Sequence, residues 1–123
     1  MKILVVDDDA MAGEMTGAIL EDGGHRVILA EDAMRAIECF DADGDFDMII
    51  SDMNMPLING IELFRQLREQ KFELPFVLLT GDASEKLLAE EPLLDACLLK
   101  DASLEETLVH TVDAVMQQRN GLL

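Results

Sequence analysis

The chain has 123 residues, half of them hydrophobic, and its 26 acidic residues against 9 Lys and Arg give a formal net charge of −17. This length predicts one domain with a sizeable core, and the hydrophobic content is too high for a disordered acidic tail. Because no basic residues cluster, direct binding to nucleic acid or to an anionic membrane surface is not expected.

Short apolar runs alternate with amphipathic stretches along the whole chain. The runs are unbroken, which predicts parallel strands covered on both faces, over residues 3–6, 27–30, 48–50, 76–79 and 97–99. Apolar residues at helical spacing predict helices over residues 10–22, 32–42, 60–70, 84–91 and 103–119. Strict alternation with right-handed crossovers predicts an α/β fold with helices on both faces of a parallel sheet.

Two of the predicted helices carry further local signals. The first has Met11, Met15 and Leu20 at helical spacing, and methionines in such positions are usually core residues. The last opens with Ser103 and Glu106, which have the spacing of a capping box.

Few features of the sequence bear on where in the cell the protein acts. Cys39 and Cys97 lie in apolar contexts without metal-ligand spacing, which predicts buried free thiols in a reducing compartment. The N-terminal apolar run is too short for a signal peptide, and no run has the length of a membrane span. We therefore expect a cytoplasmic protein.

Polar side chains follow four of the five predicted strands. In a parallel sheet, ligands bind beyond the carboxyl ends of the strands, so these residues are the candidate site. They are Asp7, Asp8 and Asp9 after the first run, Ser51 and Asp52 after the third, Thr80 after the fourth and Lys100 after the fifth.

Together these side chains could bind a metal ion and a phosphoryl group. Oxygen ligands without His or Cys favour a hard cation such as Mg²⁺. A lysine and a magnesium ion together can hold the oxygens of a phosphoryl group, and a carboxylate can be the nucleophile that accepts it. Thr80 offers a hydroxyl donor, and Gly81 leaves space for the group to enter.

The stretches "ILVVDDD", "DMNMPLINGIEL", "LLTG" and "LLK" follow one another in this order. The chain thereby resembles the receiver domain of bacterial two-component response regulators, over essentially all of residues 1–123. The resemblance implies a flavodoxin-like, doubly wound five-stranded parallel sheet of strand order 2-1-3-4-5. A stand-alone receiver with no output domain, similar to the chemotaxis regulators, is the expected form, and a domain of a longer protein is the alternative.

The resemblance further implies a magnesium site. Asp8 and Asp52 would ligate Mg²⁺ through their carboxylates, Asp7 would hold it through water, and Asn54 would contribute its backbone carbonyl. It assigns no ligand role to Asp9, for which the entrance of the first helix is the expected place because the helix dipole favours a negative charge there.

Phosphoryl transfer is the activity that the resemblance implies. Asp52 would be the phosphoacceptor, with a histidine kinase, a histidine phosphotransferase or a small acyl phosphate as donor. Thr80 and Lys100 would hold the phosphoryl oxygens, and the side chains of Asn54 and Asp82 would influence how long the group stays. The output would be altered binding to a downstream protein, by a monomer or weak homodimer.

The chain departs from the family at three places. Asp101 replaces the usual proline after the lysine, so we expect a trans peptide there, and Asp101 either competes for the Lys100 ammonium or faces solvent at the start of the last helix. Cys97 replaces the usual aromatic residue that relays the signal. The segment between Thr80 and Lys100 is short, which predicts a short or displaced fourth helix.

Two other functions stay open, the first because of the Asp101 and Cys97 departures and the second because of the spacing of the N-terminal aspartates. A pseudo-receiver would signal by binding proteins without being phosphorylated. A magnesium-dependent phosphohydrolase would use Asp7 as nucleophile and Asp9, two residues further on, as acid or base, although the chain has no room for a cap domain.

Overall fold

Strands and helices alternate strictly along the chain. The computed structural model describes residues 1–42, 45–81 and 84–120. The elements are β1 (Lys2–Val6), α1 (Ala10–Asp22), β2 (Arg26–Ala30), α2 (Ala33–Ala42), β3 (Met48–Asp52), α3 (Gly60–Glu69), β4 (Phe76–Thr80), α4 (Ser84–Glu90), β5 (Ala96–Leu99) and α5 (Leu104–Asn120). Over these described ranges, no helix is both long and apolar enough to cross a bilayer.

The five strands form one parallel sheet in the order β2-β1-β3-β4-β5, which confirms the predicted flavodoxin-like topology. Helices α2 and α3 pack on one face through Phe40, Phe64 and Leu67. Helices α1 and α5 pack on the other face, through Leu20 and Val112 among others. Because all strands are parallel, their carboxyl ends meet at one edge of the sheet.

Coverage on both faces holds for the three central strands only. The hydrophobic residues of β3 and β4 are buried, as are Ile3 to Val6 of β1. In β2, by contrast, Leu29 is exposed, and in β5 Leu99 is exposed. These are the edge strands, which have one neighbour each, so the prediction that every strand is covered on both faces was wrong for β2 and β5.

The buried face of α1 also differs from the prediction. Met11 and Met15 are 74% and 66% exposed, whereas Gly13 and Gly17 are buried. A Cβ atom at Gly17 would lie 3.3 Å from Cγ1 of Val27, so the absence of side chains lets the helix approach the sheet closely. Gly13, Thr16, Gly17 and Leu20 therefore form the packed face of this helix, and the two methionines lie outside it.

The capping box lies on another helix than the sequence pattern suggests. At the start of α3, the Asn59 side chain accepts from the Glu62 N–H while the Glu62 carboxylate accepts from the Asn59 N–H. At the start of α5, the Ser103 hydroxyl instead donates to the Asp101 carboxylate at 2.6 Å. The prediction of a Ser103–Glu106 capping box was therefore wrong.

Candidate functional site

The sheet register brings four of the predicted site residues to one edge. Val6 pairs with Ser51, so Asp7 and Asp52 follow directly on neighbouring strands. Asp52 in turn pairs with Leu79, and Thr80, which pairs with Leu99, ends the next strand. Lys100 comes one residue after Leu99, which places the lysine at the same edge of the sheet.

Three carboxylates form a compact cluster at this edge. One oxygen from each of Asp7, Asp8 and Asp52 lies within 4.8 Å of the other two. Asp7 and Asp52 are buried, and Asp8 is exposed, so the cluster opens to solvent on one side. Like charges this close repel each other, and the arrangement requires a compensating cation.

Lys100 supplies part of that compensation. Its Nζ lies 3.0 Å from Oδ2 of Asp7 and 2.9 Å from Oδ1 of Asp52. The lysine side chain is 25% exposed, whereas those of Asp7 and Asp52 are 2% and 9% exposed. Three carboxylates and one ammonium leave two negative charges in the cluster, which is the charge that one divalent cation neutralises.

The electrostatics of the cluster make Asp52 difficult to ionise. Burial raises the pKa of the Asp52 carboxyl above its ordinary value, and Asp7 and Asp8 raise it further, while the Lys100 ammonium offsets this only in part. Burial alone would lower the pKa of the Lys100 amine, but its hydrogen bonds to Asp52 and Asp7 outweigh burial and raise it. The Lys100 amine is therefore protonated at neutral pH. An additional cation would further reduce the repulsion among the carboxylates.

Asp9 lies outside the cluster, as expected. Its carboxylate is the N-cap of α1 and accepts from the N–H groups of Met11 at 3.0 Å and Ala12 at 3.3 Å. Its own N–H donates to Oδ1 of Asp7 at 2.9 Å, a contact that the sequence pattern did not reveal. Asp9 thus orients Asp7 through its backbone while its side chain begins the helix.

Replacing this N-cap has a measurable consequence. Asp9→Ala is expected to lower the free energy of unfolding by about 1 kcal/mol, because two N–H groups of the first helical turn lose their acceptor. Asp9→Asn keeps an acceptor oxygen and is expected to retain most of the stability. Urea unfolding followed by circular dichroism measures both, with the exposed Glu14→Ala of the same helix as control. An equal loss in Asp9→Asn and Asp9→Ala would contradict the capping role.

Asp101 does not compete for the lysine. Its exposed carboxylate accepts from the backbone N–H of Ser103 at 2.9 Å and from the Ser103 hydroxyl, whereas the Lys100 ammonium bonds to Asp7 and Asp52. Over the described residues there is no cis peptide bond, so the predicted trans peptide after Lys100 is confirmed. Of the two placements considered for Asp101, the structure shows the one at the start of the last helix.

The two cysteines, Asn54 and Thr80 were also singled out in the sequence. Cys39 and Cys97 are free thiols, as predicted, but both are half-buried rather than fully buried, and burial raises the pKa of the Cys97 thiol. Asn54 is exposed in the loop after β3, and Thr80 is buried at the end of β4. Asp82 lies outside the described residues.

A glycine, Gly60, packs against the backbone of Asp52, a contact that the sequence did not reveal. A Cβ atom at Gly60 would lie 2.6 Å from the backbone oxygen of Asp52 and 2.5 Å from Cδ1 of Leu78. The Gly60 N–H also donates to the carbonyl of Met53 at 2.9 Å. The first turn of α3 is thus pressed against the backbone that carries Asp52, which only a residue without a side chain permits.

The donor set fits a magnesium ion. All three clustered ligands are carboxylate oxygens, the ligands that hard cations prefer, and no His or Cys takes part in this cluster. The cluster is open on the Asp8 side, which leaves space for the water molecules that Mg²⁺ usually keeps. The residual charge of the cluster favours the same conclusion.

Comparison with known proteins identifies the class of protein. The chain matches the response regulator receiver domain family over residues 3–113, and it belongs to that family. Response regulator MprA of Mycobacterium avium is 36% identical over 110 residues, which cover 88% of this chain and 48% of that protein. The chain thus spans about half the length of the curated relatives it matches.

Solved structures show the same relationship. The chemotaxis response regulator CheY4 of Vibrio cholerae is 32% identical with a TM-score of 0.81, and the match covers 93% of this chain and 97% of that one. Response regulator TrrA of Thermotoga maritima, solved in complex with Mg²⁺-BeF, is 28% identical with a TM-score of 0.82 over the same shares of the two chains. The chain is therefore a module of two-component signalling with an acidic metal site, rather than a classical enzyme.

Proposed function

We propose that this chain is a phosphorylation-operated switch that accepts a phosphoryl group on Asp52. The observation that carries the proposal is the position of the Lys100 ammonium, bonded to both Asp7 and Asp52 within a cluster of three carboxylates. Such a cluster does not stabilise the fold, because its like charges repel. It suits a site that holds a cation and a phosphoryl group together.

We infer the following transfer step, which the contacts of the Lys100 ammonium with Asp7 and Asp52 support. An Asp52 carboxylate oxygen attacks the phosphorus of a phosphohistidine on a kinase or phosphotransferase. The P–N bond breaks, its electron pair returns to the imidazole nitrogen, and an acyl phosphate forms. The Lys100 ammonium, released from Asp52, and the Thr80 hydroxyl then hold the phosphoryl oxygens. Water later attacks the phosphorus, which regenerates the carboxylate and releases inorganic phosphate.

Asp8 and Asp52 would ligate Mg²⁺ directly, Asp7 would hold it through water, and the Asn54 carbonyl would complete the protein ligands. When bound, the ion neutralises the charge that accumulates on the phosphoryl oxygens. The three carboxylates each offer an oxygen within 4.8 Å of the other two, which supports a site that they share around one ion.

Two observations favour this function over its alternatives. The Asp9 carboxylate is engaged in capping α1, so it is not placed as the acid or base of a phosphohydrolase. Asp101 bonds to Ser103 and leaves the Lys100 ammonium to Asp7 and Asp52, which removes one of the two reasons to consider a pseudo-receiver, the other being Cys97.

The signal would leave the molecule as a change in binding. Receiver domains work with histidine kinases, and we propose that the receiver unit here extends over residues 1–123, acts in the cytoplasm as a monomer or weak homodimer, and is read by a protein target. Phosphorylation would shift the populations of two conformations of the loops after β3 and β4.

Intact-mass measurement tests the proposed function. After incubation with acetyl phosphate and Mg²⁺, we expect one phosphoryl adduct, absent when EDTA removes the metal and absent in Asp52→Asn. Asp9→Asn serves as the matched control, since it removes a neighbouring carboxylate without touching the site chemistry, and it should be phosphorylated. An adduct that persists in Asp52→Asn, or none with either acetyl phosphate or a phosphohistidine donor, would contradict the proposal.

A further inference from the structure

The turn between β5 and α5 is closed by a side chain. Oδ1 of Asp101 accepts from the Ser103 N–H at 2.9 Å and from the Ser103 hydroxyl at 2.6 Å. The Asp101 carbonyl accepts from the Leu104 N–H at 3.1 Å, which joins the same turn to the first residue of the helix. One residue directly after Lys100 is thus bonded twice through its carboxylate and once through its carbonyl.

This turn fixes the backbone from which the lysine extends. On the strand side, the Lys100 N–H donates to the Thr80 carbonyl at 2.7 Å. On the helix side, α5 is anchored in the core by Leu108 and Val112, which are 0% and 1% exposed. The Asp101–Ser103 contacts connect these two anchors across residues 101–103, so the lysine backbone is held from both directions.

We propose that Asp101 is a positioning residue, whose carboxylate closes the turn onto Ser103 and thereby holds the Lys100 ammonium between Asp7 and Asp52. This inference rests on the proposed function for its consequence in phosphoryl transfer. A lysine side chain has several rotatable bonds and high rotamer entropy, so its ammonium stays at one place only when its backbone is fixed. Hydrogen bonds to Ser103 hold the pKa of the Asp101 carboxyl below its ordinary value, so this acceptor remains ionised at neutral pH.

An electrostatic role for Asp101 makes the opposite prediction. If the charge of Asp101 acted on Lys100 directly, asparagine and alanine at this position would have the same effect. If the acceptor oxygen matters, asparagine should preserve the turn and alanine should not, because the amide oxygen can accept both hydrogen bonds from Ser103. The pair Asp101→Asn and Asp101→Ala therefore separates the two roles.

Two measurements on the full chain test the proposal. The first is the phosphorylation rate with acetyl phosphate at saturating Mg²⁺, and the second is the Mg²⁺ affinity by calorimetry without a phosphoryl donor. In Asp101→Ala we expect phosphorylation to slow by about tenfold, because the ammonium is misplaced. We also expect tighter Mg²⁺ binding, because Asp7 and Asp52 lose a competing cation. A merely destabilised protein would not show that opposite pair of changes.

Asp101→Asn is expected to match the parent chain in both measurements, and Ser103→Ala, which removes one of the two hydrogen bonds, to fall between. Equal changes in Asp101→Asn and Asp101→Ala would overturn the proposal. The proposal would also be overturned if Asp101→Ala were phosphorylated as fast as the parent chain while Lys100→Ala was phosphorylated more slowly. The proposed function would still stand after that result. If no donor phosphorylates the parent chain, the proposed function fails, and the Mg²⁺ affinities of the same variants still decide the positioning role.

Discussion

Metal-free Asp52→Asn is expected to be more stable than the parent chain at pH 7, by on the order of 1 kcal/mol, because ionising a carboxyl whose pKa is raised by folding lowers stability. The ionised Asp52 is disfavoured by burial and by Asp7 and Asp8, as its raised pKa shows, and asparagine removes that charge at nearly constant shape. Lys100 keeps Asp7 as a partner in the variant. Urea unfolding in EDTA measures the difference, with the exposed Asp41→Asn as control for the general loss of one negative charge.

The sign of the pH dependence follows from the same pKa shift. Because the pKa of Asp52 is higher in the folded than in the unfolded chain, the folded state binds more protons in the interval between the two values. The parent chain therefore loses stability relative to Asp52→Asn as pH rises through that interval. The advantage of the variant should vanish below the unfolded pKa, which is about 3.9 for Asp.

Magnesium should reverse this order. A ligand that binds only the folded chain at a hundred times its Kd stabilises by about 2.7 kcal/mol, and this gain requires the Asp52 carboxylate. The parent chain should then exceed Asp52→Asn, while Asp41→Asn gains as much as the parent. Identical Mg²⁺ stabilisation of Asp52→Asn and the parent chain would show that Asp52 is not a ligand.

Gly60→Ala is expected to be strongly destabilising, by about 1–3 kcal/mol, because an added Cβ meets backbone that cannot move aside. Its distance to the Asp52 carbonyl oxygen would be 2.6 Å, so either α3 or the end of β3 must shift. That shift moves the Asp52 side chain as well, and the phosphorylation rate should fall together with the stability.

Gly81→Ala is the matched control for this substitution. A Cβ atom at Gly81 would meet nothing within 4 Å, so its effect on the free energy of unfolding should stay within about 0.5 kcal/mol. Urea unfolding of both variants measures the contrast. Equal changes in the free energy of unfolding of the two variants would show that the close approach of α3 to Asp52 does not contribute to stability.

The sheet and the acidic cluster are the parts that sequence reasoning predicts well. Unbroken apolar runs predict the five parallel strands, the resemblance to receiver domains supplies their order, and parallel strands bring the residues after them to one edge. Asp7, Asp8, Asp52 and Lys100 then meet because of topology alone, without any knowledge of side-chain packing.

Two of the failures concern which neighbour a residue contacts. Apolar periodicity on α1 points to Met11 and Met15, but close approach to the sheet selects the face with Gly13 and Gly17. Spacing predicts a capping box at Ser103, but the Ser103 hydroxyl donates its hydrogen bond to the Asp101 carboxylate instead. In each case the choice depends on distances in three dimensions, which one sequence does not contain.

The most direct test of the account locates the phosphoryl group among the three clustered carboxylates. Borohydride reduction of the phosphorylated chain converts the acyl phosphate to an alcohol, so the modified aspartate becomes homoserine, which peptide mass spectrometry locates. Homoserine is expected at position 52, with Asp7 and Asp8 unmodified in the same digest. Homoserine at position 7 or 8, with Asp52 intact, would contradict it.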